Sequence, residues 1–296
     1  MARILITGAG GPAGLALARQ LTDHEVIGVD MADLHRTPAA ELFHETHRCP
    51  AADDPALVLV LTALVRRRRV DLVIPTVQDE LPIMAASASL LGAPVVTSPT
   101  QGVMLAHDKL FTMAALGRAG VPIPRTLPAD DLPARRSVRY PLVLKPRVSR
   151  GGRGVVVVEN RRDLVALHAR GLGPGSILQE FAPGTEYAVQ VYRQPAAAWE
   201  CVVLEKARLK QGTVGNAAAV HRCPPGAELD VASVALSAVE ALDLRGPVDL
   251  DVRRLATGQP VVLEVNARFG AQSERAPELL ERVLARHLTR RRSEVA

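Results

Sequence analysis

The chain has few cysteines and few aromatic residues. Its three cysteines, Cys49, Cys201 and Cys223, are widely spaced and odd in number, and aromatic residues make up 3% of the 296 residues. This spacing predicts no disulfide framework and no zinc site, and it is typical of a protein of the reducing cytoplasm. With so few rings to stack on bases, we expect no binding of nucleic acid despite the net charge of +5.

Long apolar runs are also lacking. No run approaches the roughly 20 residues that a membrane-spanning helix requires, and no signal-peptide pattern precedes the first strand pattern at residues 3–7. We therefore expect a cytoplasmic protein that has no membrane partner. The composition, 48% hydrophobic and 23% charged, is that of a globular protein, and the length is sufficient for two domains.

The first third of the chain alternates strand and helix patterns. A strand at residues 3–7, a glycine-rich turn at residues 8–14, a helix and a strand ending in Asp30 predict a doubly wound parallel sheet. The turn fits a dinucleotide-binding pattern in which Asp30 contacts a ribose, and it also fits a tight turn that binds nothing. Nicotinamide enzymes of that type carry a Tyr-x-x-x-Lys pair, which this chain lacks.

The same domain is expected to end near residue 98. A strand at residues 71–76 is followed by Gln78, Asp79 and Glu80, at the sheet edge where open α/β sheets bind ligands, although ordinary surface loop residues also fit there. A last strand is predicted at residues 94–97, and the Ser-Pro-Thr sequence after it indicates a boundary.

Two runs near the C-terminus, residues 248–252 and 261–268, have the alternation of strands with one buried face. A two-residue turn at Thr257 and Gly258 would join them as a hairpin.

This turn would place Asp251 opposite Glu264, and Asp249 opposite Asn266. Facing carboxylates repel each other unless a cation lies between them, and carboxylate and amide oxygens suit Mg²⁺. A solvated hairpin that binds no metal is the alternative interpretation.

The middle of the chain contains a lysine beside a glycine-rich loop. A helix capped by Asp108 precedes it, a strand ends on Lys145, and the loop at residues 148–154 leads into a returning strand. Backbone N–H groups in such a loop form anion-binding concavities, and a lysine adds a point charge for phosphate oxygens. The region can therefore bind a triphosphate although the P-loop pattern is absent, but a hairpin with an exposed lysine fits equally.

Five ordered blocks resemble the ATP-grasp superfamily, in particular one half of the carbamoyl-phosphate synthase large subunit and the carboxylate–amine ligases of that branch. The resemblance implies a Rossmann-like domain at residues 1–98, then a two-lobed α+β ATP-grasp domain at residues 99–296, with a lid lobe at about 125–180 and a large lobe at about 181–296. The blocks are Ile6-Thr-Gly-Ala-Gly-Gly-Pro-Ala-Gly14, Asp108-Lys109 with Gly120-Val-Pro-Ile-Pro124, Tyr140-Pro-Leu-Val-Leu-Lys-Pro146 with Gly151-Gly-Arg-Gly154, Gln179-Glu-Phe-Ala-Pro-Gly-Thr-Glu186 and Val261-Val-Leu-Glu-Val-Asn-Ala-Arg268.

The resemblance also implies the residues that bind ATP. Lys109 and Lys145 would contact phosphates, residues 149–154 would form a flexible lid, the backbone of residues 179–182 would read adenine, and Glu186 would contact the ribose. The full set is Lys109, Lys145, Ser149, Gly151, Gly152, Gly154, Gln179, Glu180, Phe181, Ala182 and Glu186.

For the chemistry, the resemblance implies that Asp251, Glu264 and Asn266 bind Mg²⁺ or Mn²⁺, and that Arg268 and Lys145 are catalytic. Arg268 would stabilise an acyl phosphate and its tetrahedral successor. The carbamoyl-phosphate synthase has glutamine where this chain has Asp251, and a carboxylate there still suits the metal.

The expected activity is ATP-dependent phosphorylation of a small carboxylic acid and transfer of the acyl group to an amine or amino acid. Phosphorylation of bicarbonate or carbamate is a second possibility, and a non-catalytic nucleotide- or nicotinamide-binding protein is a third. Many relatives in this superfamily are dimers, so a homodimer is one expectation. Candidates for substrate contacts, each of which also fits an ordinary loop residue, are Lys206, Lys210, Asn216, His221 and Ser273.

Overall fold

The computed structural model describes residues 1–130, 138–149, 151–171, 173, 175–195 and 198–294. The strands of this part of the chain form one parallel and two antiparallel sheets. Within the same residues, every helix is too short or too polar to cross a bilayer. The predicted α/β class, with a parallel sheet first and antiparallel sheets after it, is confirmed.

The N-terminal sheet is parallel and has the strand order β3-β2-β1-β4. Ile4 of β1 lies in one apolar cluster with Leu17, whereas the next residue, Leu5, lies in another with Leu61. Helices therefore cover both faces of the sheet, as a doubly wound fold requires. The elements are β1 (Arg3–Thr7), α1 (Pro12–Ala18), β2 (Glu25–Asp30), β3 (Glu45–Arg48), α2 (Leu57–Arg68), β4 (Leu72–Ile74) and α3 (Leu81–Ala86).

The strand predicted at residues 94–97 is reduced to a single parallel bridge between Val73 and Val95. Two hydrogen bonds of 2.9 Å support the bridge, from Val73 N to Pro94 O and from Val96 N to Val73 O. Pro94 has no N–H to donate, so the ladder does not extend. The domain boundary near residue 98 stays a prediction.

Two helices, α4 (Thr100–His107) and α5 (Lys109–Arg118), lead into the rest of the chain. The predicted cap Asp108 accepts the N–H of Leu110 at 2.9 Å. Its carboxylate also accepts a 2.6 Å bond from Arg147 Nη2. Asp108 thus fixes the start of α5, and with it the position of Lys109.

A four-stranded antiparallel sheet follows, with the order β5-β8-β6-β7. Leu142, Leu144, Val158 and Leu178 form its small apolar core with Ala129. The elements are β5 (Thr126–Pro128), β6 (Leu142–Pro146), β7 (Val156–Val158), α6 (Arg161–Ala169) and β8 (Ser176–Glu180).

The largest sheet has five antiparallel strands in the order β11-β10-β9-β12-β13. Val231 of α7 shares an apolar cluster with Val189 of β9, whereas Leu279 of α8 shares one with Ala188 of β9 and with Ile4 of the N-terminal sheet. Helix α8 therefore joins the first and third sheets. The elements are β9 (Glu186–Arg193), β10 (Glu200–Gln211), β11 (Val214–Arg222), α7 (Leu229–Ala241), β12 (Gly246–Arg254), β13 (Pro260–Asn266) and α8 (Pro277–Glu294).

The predicted cross-strand pairs of the β12–β13 hairpin are confirmed: Asp249 pairs with Asn266, and Asp251 with Glu264.

The predicted two-residue turn of that hairpin is wrong. Leu255 N bonds to Gln259 O at 2.9 Å, so three residues, 256–258, form the turn. Val252 pairs with Val262 while its neighbour Asp251 pairs with Glu264, so Leu263 is the extra residue of a β-bulge. The bulge compensates for the longer turn and restores the predicted register.

Candidate active site

A cavity of 1170 Å³ is lined by residues from all three sheets, among them Asp30, Lys145 and Glu264. This volume exceeds the roughly 300–1,000 Å³ that is typical of pockets for small-molecule ligands. Most of the residues that the resemblance assigns to ATP and metal line it or contact residues that do.

Two buried lysines converge beside Glu264. Lys145 Nζ donates to Gln179 Oε1 at 2.8 Å and to the carbonyl of the bulged Leu263 at 3.1 Å. Lys109 Nζ lies 3.2 Å from Glu264 Oε1 and donates to Ser149 O at 3.0 Å. Burial lowers the pKa of Lys145 to about 8, against the opposing effect of Glu264. The pair forms a desolvated cationic wall suited to phosphate oxygens.

A third lysine, Lys206, lies between the carboxylates of Glu186 and Asp251. Lys206 Nζ lies 2.7 Å from Glu186 Oε1 and 2.7 Å from Asp251 Oδ1, and its side chain is 6% exposed. Burial acts to lower the pKa of Lys206, but Asp251 and Glu186 together raise it above its ordinary value. Arg253 Nη1 lies 3.3 Å from the other oxygen of Glu186. Burial raises the pKa of Glu186, and the charge of Lys206 opposes this.

The oxygen atoms of Asp251, Glu264 and Asn266 fit a hard divalent ion. All three residues line the cavity on two paired strands, and carboxylate and amide oxygens are the ligands that Mg²⁺ takes. Among the described residues, no three His, Cys, Asp or Glu side chains are grouped so as to hold a metal ion. Each of the three side chains contacts a cation of the protein. Asp251 contacts Lys206, Glu264 contacts Lys109, and Asn266 accepts from Arg268 Nη2 at 3.4 Å.

Arg268 and Asp249 lie at the far end of this face. Arg268 Nη1 donates to Phe269 O at 2.7 Å, while its buried Nε has no hydrogen-bond acceptor among the described residues. Asp249 accepts a hydrogen bond from Gln190 Nε2. Burial and the nearby Asp251 raise the pKa of Asp249 to about 6, against the charge of Arg268. A Cβ at Gly270 would lie 2.5 Å from the Asp249 carboxyl oxygen, so a side chain there would displace this carboxyl group.

The segment expected to read adenine borders the cavity. Glu180, Phe181 and Ala182 line it, and the Arg253 guanidinium stacks 5.0 Å from the Phe181 ring centroid. Gln179 also lines the cavity, and its buried side chain accepts from Lys145 and donates to Thr126 Oγ1 at 3.0 Å.

The expected lid contains glycines in a conformation that other residues avoid. Gly151, Gly152 and Gly154 have φ of 66°, 73° and 73°. Gly151 and Gly152 line the cavity, and Ser149 is held by Lys109. Residue 150 lies outside the described residues.

The N-terminal glycine turn borders the same cavity, and its backbone is hydrogen-bonded within the protein. Gly10 N donates to Asp30 Oδ2, and Ala32 N donates to Asp30 Oδ1, both at 2.9 Å. A Cβ at Gly14 would lie 2.5 Å from Gly8 O, so Gly14 serves the close packing of helix against strand. The two oxygens of the expected ribose-binding acid are thus already engaged by the backbone.

Glu80 is buried at this end of the cavity. It accepts the hydroxyl of Thr7 and, at 3.1 Å, the N–H of Val77. Burial raises its pKa to about 7, although these hydrogen bonds act to lower it.

The substrate candidates from the 205–222 segment and Ser273 are separated by the structure. Lys206 and Lys210 line the cavity. His221 pairs with Glu205 in the β10–β11 ladder, and Ser273 Oγ accepts from Gln20 Nε2 at 3.4 Å, so neither lies on the described cavity wall. The side chain of Asn216 is outside the description.

Sequence reasoning gave no role to Arg253 and named no site role for Asp249. The signal was present, because Asp249, Asp251 and Arg253 alternate along β12 and share one face. A second signal concerns lysine: the chain has 4 lysines among its 36 lysine and arginine residues, and all four lie in or directly beside the cavity.

A family model described as an ATP-grasp domain matches residues 106–272. The chain belongs to the ATP-grasp family. The resemblance inferred from the five sequence blocks is therefore confirmed. The matched segment contains every residue that the resemblance assigned to ATP, metal or catalysis, whereas the N-terminal glycine turn lies outside it.

Among curated ATP-grasp relatives, the carbamoyl-phosphate synthase of Methanobrevibacter smithii is 24% identical over 132 residues, covering 42% of this chain and 35% of the relative. The D-alanine–D-alanine ligase of Desulforudis audaxviator is 28% identical over 195 residues, covering 60% of this chain and 63% of the ligase. The chain thus matches less than two thirds of each relative.

Among solved structures, the L-amino acid ligase from Bacillus licheniformis aligns with a TM-score of 0.72 and 20% identity, over 92% of this chain and 68% of that chain. Identity at this level shows a shared fold.

Proposed function

We propose that this ATP-grasp protein is an ATP-dependent ligase that phosphorylates a small carboxylic acid and joins the acyl group to an amine. The observation that carries the proposal is that Lys145 and the paired Asp251 and Glu264 line one cavity, with Lys109 Nζ 3.2 Å from Glu264 Oε1. Cations and oxygen ligands on facing walls are what transfer of a phosphoryl group requires.

The lysines would position the triphosphate. Lys145 is buried and anchored on both sides by Gln179 and the Leu263 carbonyl, so little reorganisation is needed when a phosphate replaces one of these acceptors. Glycines 151 and 152 would bring backbone N–H groups over the phosphates and exclude water from a reactive acyl phosphate.

Asp251, Glu264 and Asn266 would hold Mg²⁺ or Mn²⁺, which would neutralise charge on the phosphates. Arg268, whose Nε has no acceptor among the described residues, would bind the oxyanion that develops when the amine attacks the acyl carbon. Phe181 and Ala182 would border adenine, and Glu186 would accept the ribose hydroxyls.

Two names among the relatives suggest which substrates to test first. The D-alanine–D-alanine ligase and the L-amino acid ligase are named for amino acids, which supply both a carboxylate and an amine. The carbamoyl-phosphate synthase relative supports the second candidate, phosphorylation of bicarbonate or carbamate. A homodimer remains a prediction that light scattering can test.

The experiment is ADP release from Mg-ATP with pooled small acids and amines, for the wild type and Glu264→Ala. We expect turnover that needs one acid and one amine and is lost in the variant. Glu240→Ala, which removes an exposed carboxylate from α7, is the matched control and should retain the wild-type rate.

Turnover with bicarbonate and ammonia alone would favour the second candidate. Failure to bind ATP in calorimetry, together with binding of NAD(P), would contradict the ligase and favour the nicotinamide-binding alternative.

A further inference from the structure

Lys206 lies where β10 leaves the regular part of its sheet. Pairing with β9 ends at Glu205, opposite Tyr187. From Lys206 to Gln211 the pairing with β11 shifts register three times. Irregular pairing of this kind bends a strand and re-aims its side chains. The ammonium of Lys206 is thereby directed at the cavity wall formed by β9 and β12.

The ammonium group of Lys206 contacts two carboxylates, as a bound metal cation would. Its Nζ lies 2.7 Å from an oxygen of Glu186 and 2.7 Å from an oxygen of Asp251, with the side chain 6% exposed. These two carboxylates lie on adjacent strands, where Asp251 pairs with Ala188 and Arg253 with Glu186. Without a cation between them, the buried Glu186 carboxylate and the partly exposed Asp251 carboxylate would repel each other.

The use of lysine here is selective. Arginine supplies 32 of the 36 basic residues of the chain, and lysine the remaining 4. A lysine ammonium is a compact point charge, whereas the guanidinium is a broad planar fork. The neighbouring arginine, Arg253, takes the outer oxygen of Glu186 at 3.3 Å and leaves the narrow position between Glu186 and Asp251 to Lys206.

A lysine and a divalent ion cannot share Asp251 without repulsion. An ion bound by Asp251 would bring two further positive charges close to a buried ammonium. A bound nucleotide would offset this repulsion between the metal and Lys206. Its phosphate oxygens can bind the metal and also accept hydrogen bonds from the displaced ammonium.

We propose that Lys206 holds the place of a cation between Glu186 and Asp251, so that the site admits a divalent metal only together with a nucleotide. Lys206 is in this sense a positioning residue. The identity of the nucleotide rests on the proposed function, whereas the competition between Lys206 and a metal does not.

The test is calorimetric titration of Mn²⁺ into the nucleotide-free full-length protein. We expect weak binding by the wild type and binding tighter by about tenfold or more in Lys206→Met, since the carboxylates then lack a resident cation that repels the metal. Arg208→Met, which removes an exposed cation from the same strand, is the matched control and should leave Mn²⁺ binding unchanged.

Equal Mn²⁺ affinity in the wild type and in a folded Lys206→Met, judged by circular dichroism, would overturn the proposal. If Lys206→Met does not fold, Lys206→Gln replaces it with the same expectation. A gain of Mn²⁺ affinity in a protein that turns over no substrate would support this inference while contradicting the ligase. ATP turnover by the wild type, together with unchanged Mn²⁺ affinity in Lys206→Met, would support the ligase and contradict this inference.

Discussion

The two glycine-rich turns, residues 8–14 and 148–154, border one cavity. They differ in whether the polar groups around them are already hydrogen-bonded within the protein. In the N-terminal turn, Asp30 accepts the N–H of Gly10 at 2.9 Å, and Gly14 packs against the backbone of Gly8. In the second turn, Gly151 and Gly152 line the cavity on the side of the buried lysines. A glycine motif therefore predicts a tight turn, whereas ligand binding depends on whether the protein itself already satisfies the groups around it.

The largest effect is expected for Glu264, on the cavity wall formed by β12 and β13. Glu264→Gln keeps the shape of the side chain but removes its charge beside Lys109. We expect ADP release to fall by about 10²-fold or more, as when a group that stabilises transition-state charge is lost. Steady-state kinetics at saturating Mg-ATP measures this. A rate within a factor of two of the wild type would mean that Glu264 does not take part in the reaction.

The second effect concerns stability at the N-terminal wall. The pKa of Glu80 is raised from 4.5 to about 7 by burial, so the folded state binds its proton more tightly than the unfolded state. Its contribution to the free energy of unfolding is full below about pH 4.5 and is lost as the pH rises through 7. The loss amounts to roughly 3 kcal/mol.

Glu80→Gln should remove this pH dependence, because the amide keeps an acceptor for Thr7 but does not titrate. Urea unfolding of both proteins at several pH values between 4.5 and 8 measures the difference. Parallel curves for the wild type and the variant would contradict the assignment.

The third effect contrasts the two turns directly. In Gly14→Ala the new Cβ would lie 2.5 Å from Gly8 O and 2.8 Å from Ala9 Cα, and neither backbone atom can move freely. We expect a loss of about 1–3 kcal/mol in the free energy of unfolding, with unchanged affinity for the nucleotide in the folded fraction. Gly151→Ala, at a φ of 66°, should instead weaken nucleotide binding. Thermal denaturation and nucleotide titration of both variants measure these effects. Weakened nucleotide binding in Gly14→Ala but not in Gly151→Ala would contradict the prediction.

The smallest effect is expected for Asp30→Asn. The amide oxygen still accepts one of the two N–H groups, those of Gly10 and Ala32, so about 1 kcal/mol of stability is lost with the charge. Affinity for ATP should not change. A large loss of nucleotide binding in this variant would mean that the N-terminal turn, and not the second one, holds the ligand.

Local patterns predicted much of the site because its main chain is regular. Alternation along β12 and β13 was sufficient to pair Asp251 with Glu264. The two-residue turn predicted beside them was wrong, since the register at the carboxylates depends on a bulge at Leu263 that no local pattern announces. The Leu263 carbonyl that the bulge exposes became an acceptor for Lys145.

The sequence by itself determined strands β12 and β13, the order of the blocks, the cap at Asp108 and the facing carboxylates, because these depend on side-chain period and on neighbours along the chain. The tertiary structure alone decided that Asp30 is occupied, that Glu80 is buried, and that Lys206 bridges Glu186 and Asp251. These outcomes follow from contacts between separate strands. Such contacts depend on which charged groups become buried when the strands and helices pack, and the pattern of residues along the chain does not contain that information.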